Sequence, residues 1–143
     1  LDLQPLLIGG PSEAERKLAA AVAEMSHCEP TLALEKPIRR TMLQLAGCRL
    51  LISPDTGPLH IAVALNVPTI GLYGYSNPKR CGPYRRFPDL LIDKYNDPGE
   101  ENAPITRKTR PGRMRKISVA EVIEKIEYGL ARYPSPDVDL QAL

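Results

Sequence analysis

The run SPDTGPLHIAVALNVPTIGLYG, Ser53 to Gly74, sets a short polar turn between a buried strand and a helix, an order of elements that few architectures accept. Cys48 to Ser53 (CRLLIS) is short, apolar and rich in β-formers. Gly57 to Leu65 places Leu59, Ala62, Val63 and Leu65 at helical spacing, and Pro68 to Tyr73 (PTIGLY) reads as another strand. Together they predict one β-turn-α-β unit, the building block of an open parallel sheet. The first N–H groups of a helix have no partner inside it and carry the positive end of its dipole, so Thr56, Gly57 and Leu59 offer donors to a phosphate or diphosphate. Pro58 gives up only a donor the helix does not use, and Gly57 lets a ligand approach the backbone. The same residues equally describe an ordinary capped helix, with Asp55 or Thr56 as N-cap and nothing bound.

A chain of 143 residues is close to the size of one domain and buries a real core, with no room for a second catalytic domain. Its 43% apolar and 25% charged residues and net charge of +2 fit an ordinary soluble globular protein. No apolar run approaches the roughly 18 residues of a membrane span and no basic-then-apolar leader opens the chain, so a cytoplasmic location is the default expectation. Cys28, Cys48 and Cys81 are odd in number and lack any CxxC pairing, which argues against a disulfide framework or a metal site. Buried or incidental thiols are expected. The opening LDLQPLLIGG has no Met and runs straight into a strand at Pro5 to Ile8, which reads as a fragment lacking an earlier strand of the same sheet.

Beyond that strand, Gly9-Gly10-Pro11 is a turn and Ser12 with Glu15 a capping box, opening a helix to about Met25 whose inward face is Ala14, Leu18, Ala21, Val22 and Met25. Thr31 to Leu34 predicts a strand, and Pro37 starts a helix with Ile38, Met42 and Leu45 inward that stops at Gly47. After Tyr73, the stretch GYSNPKRCGPYRRFP is too rich in Gly and Pro for regular structure, and a short strand follows at Asp89 to Ile92. Asn96 to Lys116 reads as irregular. Ser118 and Glu121 form a second capping box, opening a helix with Val119, Val122, Ile123, Ile126 and Leu130 inward. The expected fold is α/β, a Rossmann-like three-layer sandwich of about five parallel strands. It occupies residues 1–133 as one domain, with 134–143 a loose tail.

Ligands of open parallel sheets sit outside the carboxyl ends of the strands. Gly9, Gly10 and Glu13 follow one strand, Leu34 to Lys36 another, Ser53 to Gly57 a third and Tyr73 to Asn77 a fourth, so they are expected to converge on one rim. Each has a plainer role as well. Glu13 suits the first turn of a helix for dipole reasons alone. His60 either places a donor near a phosphate or hydrogen-bonds Asp55 and fixes the turn. Tyr73 reads as core, whereas Tyr75 and Ser76 lie past the strand end, where they can touch a ligand.

The string PDTGPLHIAVALNVPTIGLYG, followed by SNP at Ser76 to Pro78 and GPY at Gly82 to Tyr84, resembles the signature of glycosyltransferase family nine, the ADP-heptose:lipopolysaccharide heptosyltransferases and their relatives. The likeness extends back to LLIGGPSEAER (Leu6 to Arg16) and forward to the helix beginning at Ser118. It implies the C-terminal, nucleotide-sugar-binding half of a two-domain GT-B enzyme. On that resemblance Asp55, Thr56 and Gly57 meet the diphosphate and its sugar; the chemistry of the turn itself adds the Leu59 N–H as a donor and makes Asp55 and His60 the expected catalytic residues. The resemblance also has Glu13 hold the ribose and the segment Leu34 to Lys36 lie along the adenine, mainly through backbone, while Gly10 is an expected nucleotide-sugar contact by its place on the same rim. It also implies inverting transfer without a metal or cofactor, from an ADP-sugar to a lipopolysaccharide core acceptor held by an N-terminal domain. That domain would supply the general base. No basic residue of this chain matches the one that meets the phosphates from the first strand, so the chain alone is expected to bind nucleotide without turnover. A GT-B-like epimerase and a non-catalytic nucleotide-binding relative are the alternatives.

Eleven of the nineteen basic residues lie between Lys79 and Lys116, six of them in RKTRPGRMRK (Arg107 to Lys116), against five acids in the same interval. A solvated loop accounts for them, and so does a patch facing anionic lipid at the inner membrane or a phosphorylated acceptor. With one Phe, no Trp and no basic–aromatic alternation, nucleic acid is not an expected partner.

Overall fold

Two glycines end the first apolar run, and there the chain leaves β1 (Leu6–Gly9) for α1 (Glu13–Met25). The computed structural model describes residues 3–83, 85–100 and 102–134, so Tyr84 of the GPY motif and the expected tail from 135 onward lie outside the described residues. The chain divides between Thr41 and Met42 into two units.

In the first unit, β2 (Thr31–Leu34) pairs with β1 in parallel, Leu6 opposite Thr31 and Gly9 opposite Leu34. Ser12 caps α1 by accepting the N–H of Glu15 at 3.2 Å. The face of α1 differs from the expected one. Leu18 and Met25 are 65% and 83% exposed and Val22 is also exposed, while Ala19 is the buried residue. A helix that meets its neighbours through alanine approaches more closely than one held off by leucine and methionine. In α2 (Ile38–Ala46), which spans the division, Leu45 is buried as expected together with Thr41 and Ala46, whereas the expected Ile38 and Met42 are exposed. Burial of Thr41 costs little because its hydroxyl donates to the Pro37 carbonyl one turn back.

The second unit contains the opening motif as β3 (Leu51–Pro54), α3 (Gly57–Ala64) and β4 (Thr69–Tyr73). β4 is the central strand, parallel to β3 with Pro54 opposite Leu72, and parallel to the two-residue β5 (Ile92–Asp93) with Tyr73 opposite Asp93. The strand pairings are therefore parallel throughout, in sheets of two and three strands. Ile70 at the middle of β4 packs with Phe87, Leu90 and Ile92, each side chain of this size contributing about 2 kcal/mol by leaving water.

The glycine- and proline-rich stretch after Tyr73 holds more structure than expected. Asn77 accepts the Lys79 N–H at 2.9 Å and Pro78 takes the first helical position, which suffices for the one-turn helix α4 (Pro78–Cys81). A 3-10 turn at Pro88–Leu90 replaces most of the expected strand and leaves only Ile92 and Asp93 paired. A second 3-10 turn, Arg113–Lys116, precedes α5 (Val119–Arg132), whose capping box is complete. Ser118 Oγ accepts the Glu121 N–H, and the Glu121 carboxylate accepts the Ser118 N–H at 2.9 Å. Val122 and Ile126 face the core as expected, but Val119 is 76% and Ile123 48% exposed. The helix is turned toward Gly129, where an added Cβ would lie 3.3 Å from both Leu50 and Leu90.

Candidate active site

The turn between β3 and α3 is held by two hydroxyls. Ser53 is buried, and its Oγ lies 2.9 Å from Thr56 Oγ1. Thr56 has the extended backbone of an N-cap, yet its side chain makes no capping bond. The sequence leaves Asp55 or Thr56 as the cap, and the structure gives the position to Thr56 without the cap's usual acceptor. The first-turn N–H of the exposed Gly57 therefore faces no capping side chain, and the dipole of α3 adds to its donor strength. Nothing lies within 4 Å of the position a Gly57 Cβ would take, so a ligand has open access to that backbone. Leu59 is buried as a whole residue, main chain included, so the donor expected from its N–H is closed off and the exposed first-turn donor is that of Gly57.

Asp55 follows directly from β3. Its Oδ1 lies 3.1 Å from His60 Nε2, the contact that the spacing of five residues permits across the first turn of α3. Burial pushes the Asp55 carboxyl up, but Ser76, His60 and Cys81 together outweigh it and hold the group below the usual carboxylate range. The carboxylate is thus an anion at neutral pH. Ser76 is buried while the adjacent Tyr75 is 51% exposed, so the two residues that sequence reasoning pairs part company. Tyr73 is core, as expected, and its hydroxyl donates to the Cys81 carbonyl at 3.0 Å, fixing α4 to the end of β4. Cys81 is the residue the sequence passes over. Its thiol, raised by burial and by Asp55, belongs to this cluster, whereas Cys28 is exposed rather than buried.

The other expected site residues belong to the first unit. The Gly10 N–H donates to Glu15 Oε1 at 2.9 Å, and Ser12 Oγ donates to the other oxygen, so Glu15 is held below its ordinary pKa by Ser12 and then by Gly10. Glu13 is exposed and pairs with Lys17 at 2.7 Å. At the end of β2, Glu35 adopts a left-handed φ of 57°, a conformation that costs free energy for a non-glycine residue. Two contacts hold it there: its N–H donates to the Gly9 carbonyl at 3.0 Å, and its carboxylate pairs with Arg16. Lys36, next in the chain, is exposed. Within each unit, then, neighbouring strand ends lie side by side: β1 with β2 carry Gly10, Glu13 and Lys36, and β3 with β4 carry Asp55, Thr56, Gly57, His60, Tyr75 and Ser76.

The basic segment is anchored, not loose. The Arg110 guanidinium donates to both Glu100 oxygens, at 2.7 and 3.0 Å, and to the Tyr95 carbonyl. Arg113 reaches Asp97 and the same carbonyl. Arg110 holds Glu100 at a pKa of about 2. The Arg110 N–H also donates to the Tyr75 carbonyl at 2.9 Å. Gly74 accepts the segment face to face, since a Cβ there would lie 2.6 Å from the Met114 nitrogen. That explains the second glycine of PTIGLYG. Among the described residues no three His, Cys, Asp or Glu side chains are grouped to hold a metal, and no helix is long and apolar enough to cross a membrane.

Residues 2–98 match the model of Glycosyltransferase family 9 (heptosyltransferase). The chain is 31% identical over 103 residues to the lipopolysaccharide core heptosyltransferase OpsX of Haemophilus influenzae, covering 71% of this chain and 28% of that protein. It is 40% identical over 80 residues to lipopolysaccharide heptosyltransferase 1 of Pseudomonas aeruginosa, covering 54% of this chain and 21% of the relative. It spans about a quarter of the length of these curated relatives. The crystal structure of a family 9 glycosyl transferase from Veillonella parvula superposes with a TM-score of 0.73 at 24% identity, over 91% of this chain and 37% of that one, and shares its Rossmann-like α/β fold. The chain belongs to glycosyltransferase family 9.

Proposed function

We propose that this chain binds the nucleotide-diphosphate sugar of a glycosyltransferase, with ADP-heptose the favoured donor and a lipopolysaccharide core saccharide the acceptor. The observation that carries it is the β3–α3 turn. The hydroxyl of Thr56 is turned to Ser53, and the exposed Gly57 has open space above it and an N–H that faces no capping side chain. Negative charge grows on a departing diphosphate, so donors fixed in advance at its position stabilise the transition state more than the ground state. Inverting transfer needs no metal if these donors and the helix dipole take up that charge. Asp55, kept ionised, is repelled by the diphosphate but is a good acceptor for sugar hydroxyls, so its role is to orient the sugar. His60 fixes the Asp55 carboxylate and lends it a donor. The relatives' names, heptosyltransferases of lipopolysaccharide, support the choice of sugar and acceptor.

Calorimetry of the 143-residue chain with ADP, GDP and UDP tests the assignment. Saturable binding of ADP, weakened by Gly57→Ala, is expected. Binding of none of the three overturns it.

A further inference from the structure

The six cations of Arg107 to Lys116 are not equivalent. Arg110 and Arg113 are spent on Glu100, Asp97 and the Tyr95 carbonyl, and Lys116 lies 3.7 Å from Asp97. Those contacts also neutralise the nearby acids Asp97 and Glu100. Arg107 and Lys108 are exposed, and their side chains have no hydrogen-bond or ion-pair partner among the described residues. Their backbone is nevertheless fixed. The Lys108 carbonyl accepts the Tyr95 hydroxyl at 2.8 Å, and two residues on the Arg110 N–H donates to the Tyr75 carbonyl. At roughly 3.3–3.6 Å of chain per residue, Arg107 and Lys108 lie within about 14 Å of the Tyr75 backbone, toward the β4 end of the candidate site.

Two adjacent cations with no acid paired to them among the described residues, on a backbone pinned at Lys108 and Arg110, are suited to hold an anionic group, because little ordering is left to do when it arrives. A charge kept only for solubility needs no such anchoring. Taking the donor site proposed above as the other half of the active site, we propose that Arg107 and Lys108 recognise an anionic group, phosphate or carboxylate, on the acceptor saccharide. Arg115, also exposed but beyond the Gly74 contact on the 3-10 turn, serves as the internal control.

The test follows backbone amide shifts of the chain by NMR during titration with glucose 6-phosphate, glucuronate, glucose and phosphatidylglycerol vesicles, with ADP titrated separately. The expected result is that glucose 6-phosphate or glucuronate moves the amides of residues 105–109 and Tyr75 and that glucose does not. The Arg107→Ala/Lys108→Ala double variant should weaken that response about tenfold or more, and Arg115→Ala less than about twofold. Equal losses in both variants would show a diffuse basic surface and overturn the proposal. So would an equal response to glucose, or a response to vesicles alone. ADP binding should be the same in wild type and double variant. If ADP fails to bind while the anionic sugars still do, the donor-site function falls and the anion site stands; the reverse pattern removes only the anion site.

Discussion

His60 Nε2 lies 3.1 Å from Asp55 Oδ1 across the first turn of α3, so the two residues act as one unit. Removing the imidazole takes away one of the donors that hold the Asp55 carboxyl low, after burial has pushed it up. In His60→Ala the carboxyl pKa should therefore rise, measured by NMR titration of the Asp55 side-chain carbon. An unchanged titration would mean that Ser76 and Cys81 hold the charge without His60.

Asp55→Asn separates sugar from nucleotide. The amide keeps the size of the side chain but loses the charge that repels a diphosphate, so ADP affinity should hold or rise slightly. The additional affinity of an ADP-sugar over ADP should fall by about tenfold if the carboxylate accepts sugar hydroxyls. Calorimetry with the two ligands checks it, and parallel losses for both would place Asp55 in the turn's structure only.

Gly57 and Gly74 are glycine for different reasons, and their alanine variants should fail differently. At Gly74 an added Cβ meets the Arg113–Met114 backbone at 2.6–2.9 Å, so the whole basic segment must move. A loss of about 2–3 kcal/mol in urea unfolding is expected. At Gly57 nothing lies within 4 Å, so Gly57→Ala should be neutral in stability or better by a few tenths of a kcal/mol. Its effect should appear instead as at least about a tenfold loss of ADP affinity, since the methyl group occupies the ligand's approach.

Local chemistry was readable in the sequence wherever a side chain acts on its own backbone neighbours. The Ser118–Glu121 box and the polar turn at Ser53 to Gly57 are of this kind, since they need only residues three or four apart. Helix orientation was less readable. Leu18, Ile38 and Val119 fit an apolar stripe by period, yet close approach through Ala19, Thr41 and Gly129 decides which side is buried, and small residues carry little hydrophobic signal. Cys81 and Arg110 were missed for another reason. Each reaches the site through the tertiary path of a loop, Cys81 by way of the Tyr73 hydroxyl and Arg110 by way of the Tyr75 carbonyl, and neither spacing is periodic.

Glu121 links the α5 capping box to Lys94, and the Lys94 contact, followed by the Ser118 N–H, lowers its pKa from 4.5 to about 2. A carboxylate with a depressed folded-state pKa contributes stability that is complete above the unfolded value and lost as pH falls through the folded one. Glu121→Gln should accordingly be less stable than wild type at neutral pH, with the difference shrinking between 4.5 and about 2. Thermal melts of both proteins across that range measure it. A gap that stays constant with pH would assign the effect to packing and not to the charge.

Asp89 ties the end of α5 to the 3-10 turn before β5, accepting from the Tyr133 hydroxyl at 2.6 Å and from Tyr128 at 3.0 Å. Tyr133 also sets its ring edge against Phe87, with centroids 5.2 Å apart at 85°. Tyr133→Phe keeps that ring contact and removes only the donor, so its cost should be about 1 kcal/mol, larger than that of the more exposed Tyr128→Phe. Burial and the neighbouring carboxylate push the Tyr133 phenol up to about 12, so the tie persists through any ordinary alkaline range. On the acid side, burial raises the Asp89 carboxyl but Tyr133 and Tyr128 lower it further, so the net shift is downward and its contribution is lost only as pH falls below the ordinary carboxylate value of 3.8. A double-mutant cycle of Tyr133→Phe and Asp89→Asn by urea unfolding isolates the bond. A coupling energy of zero would leave the ring contact with Phe87 as the whole contribution of Tyr133 to holding α5 in place.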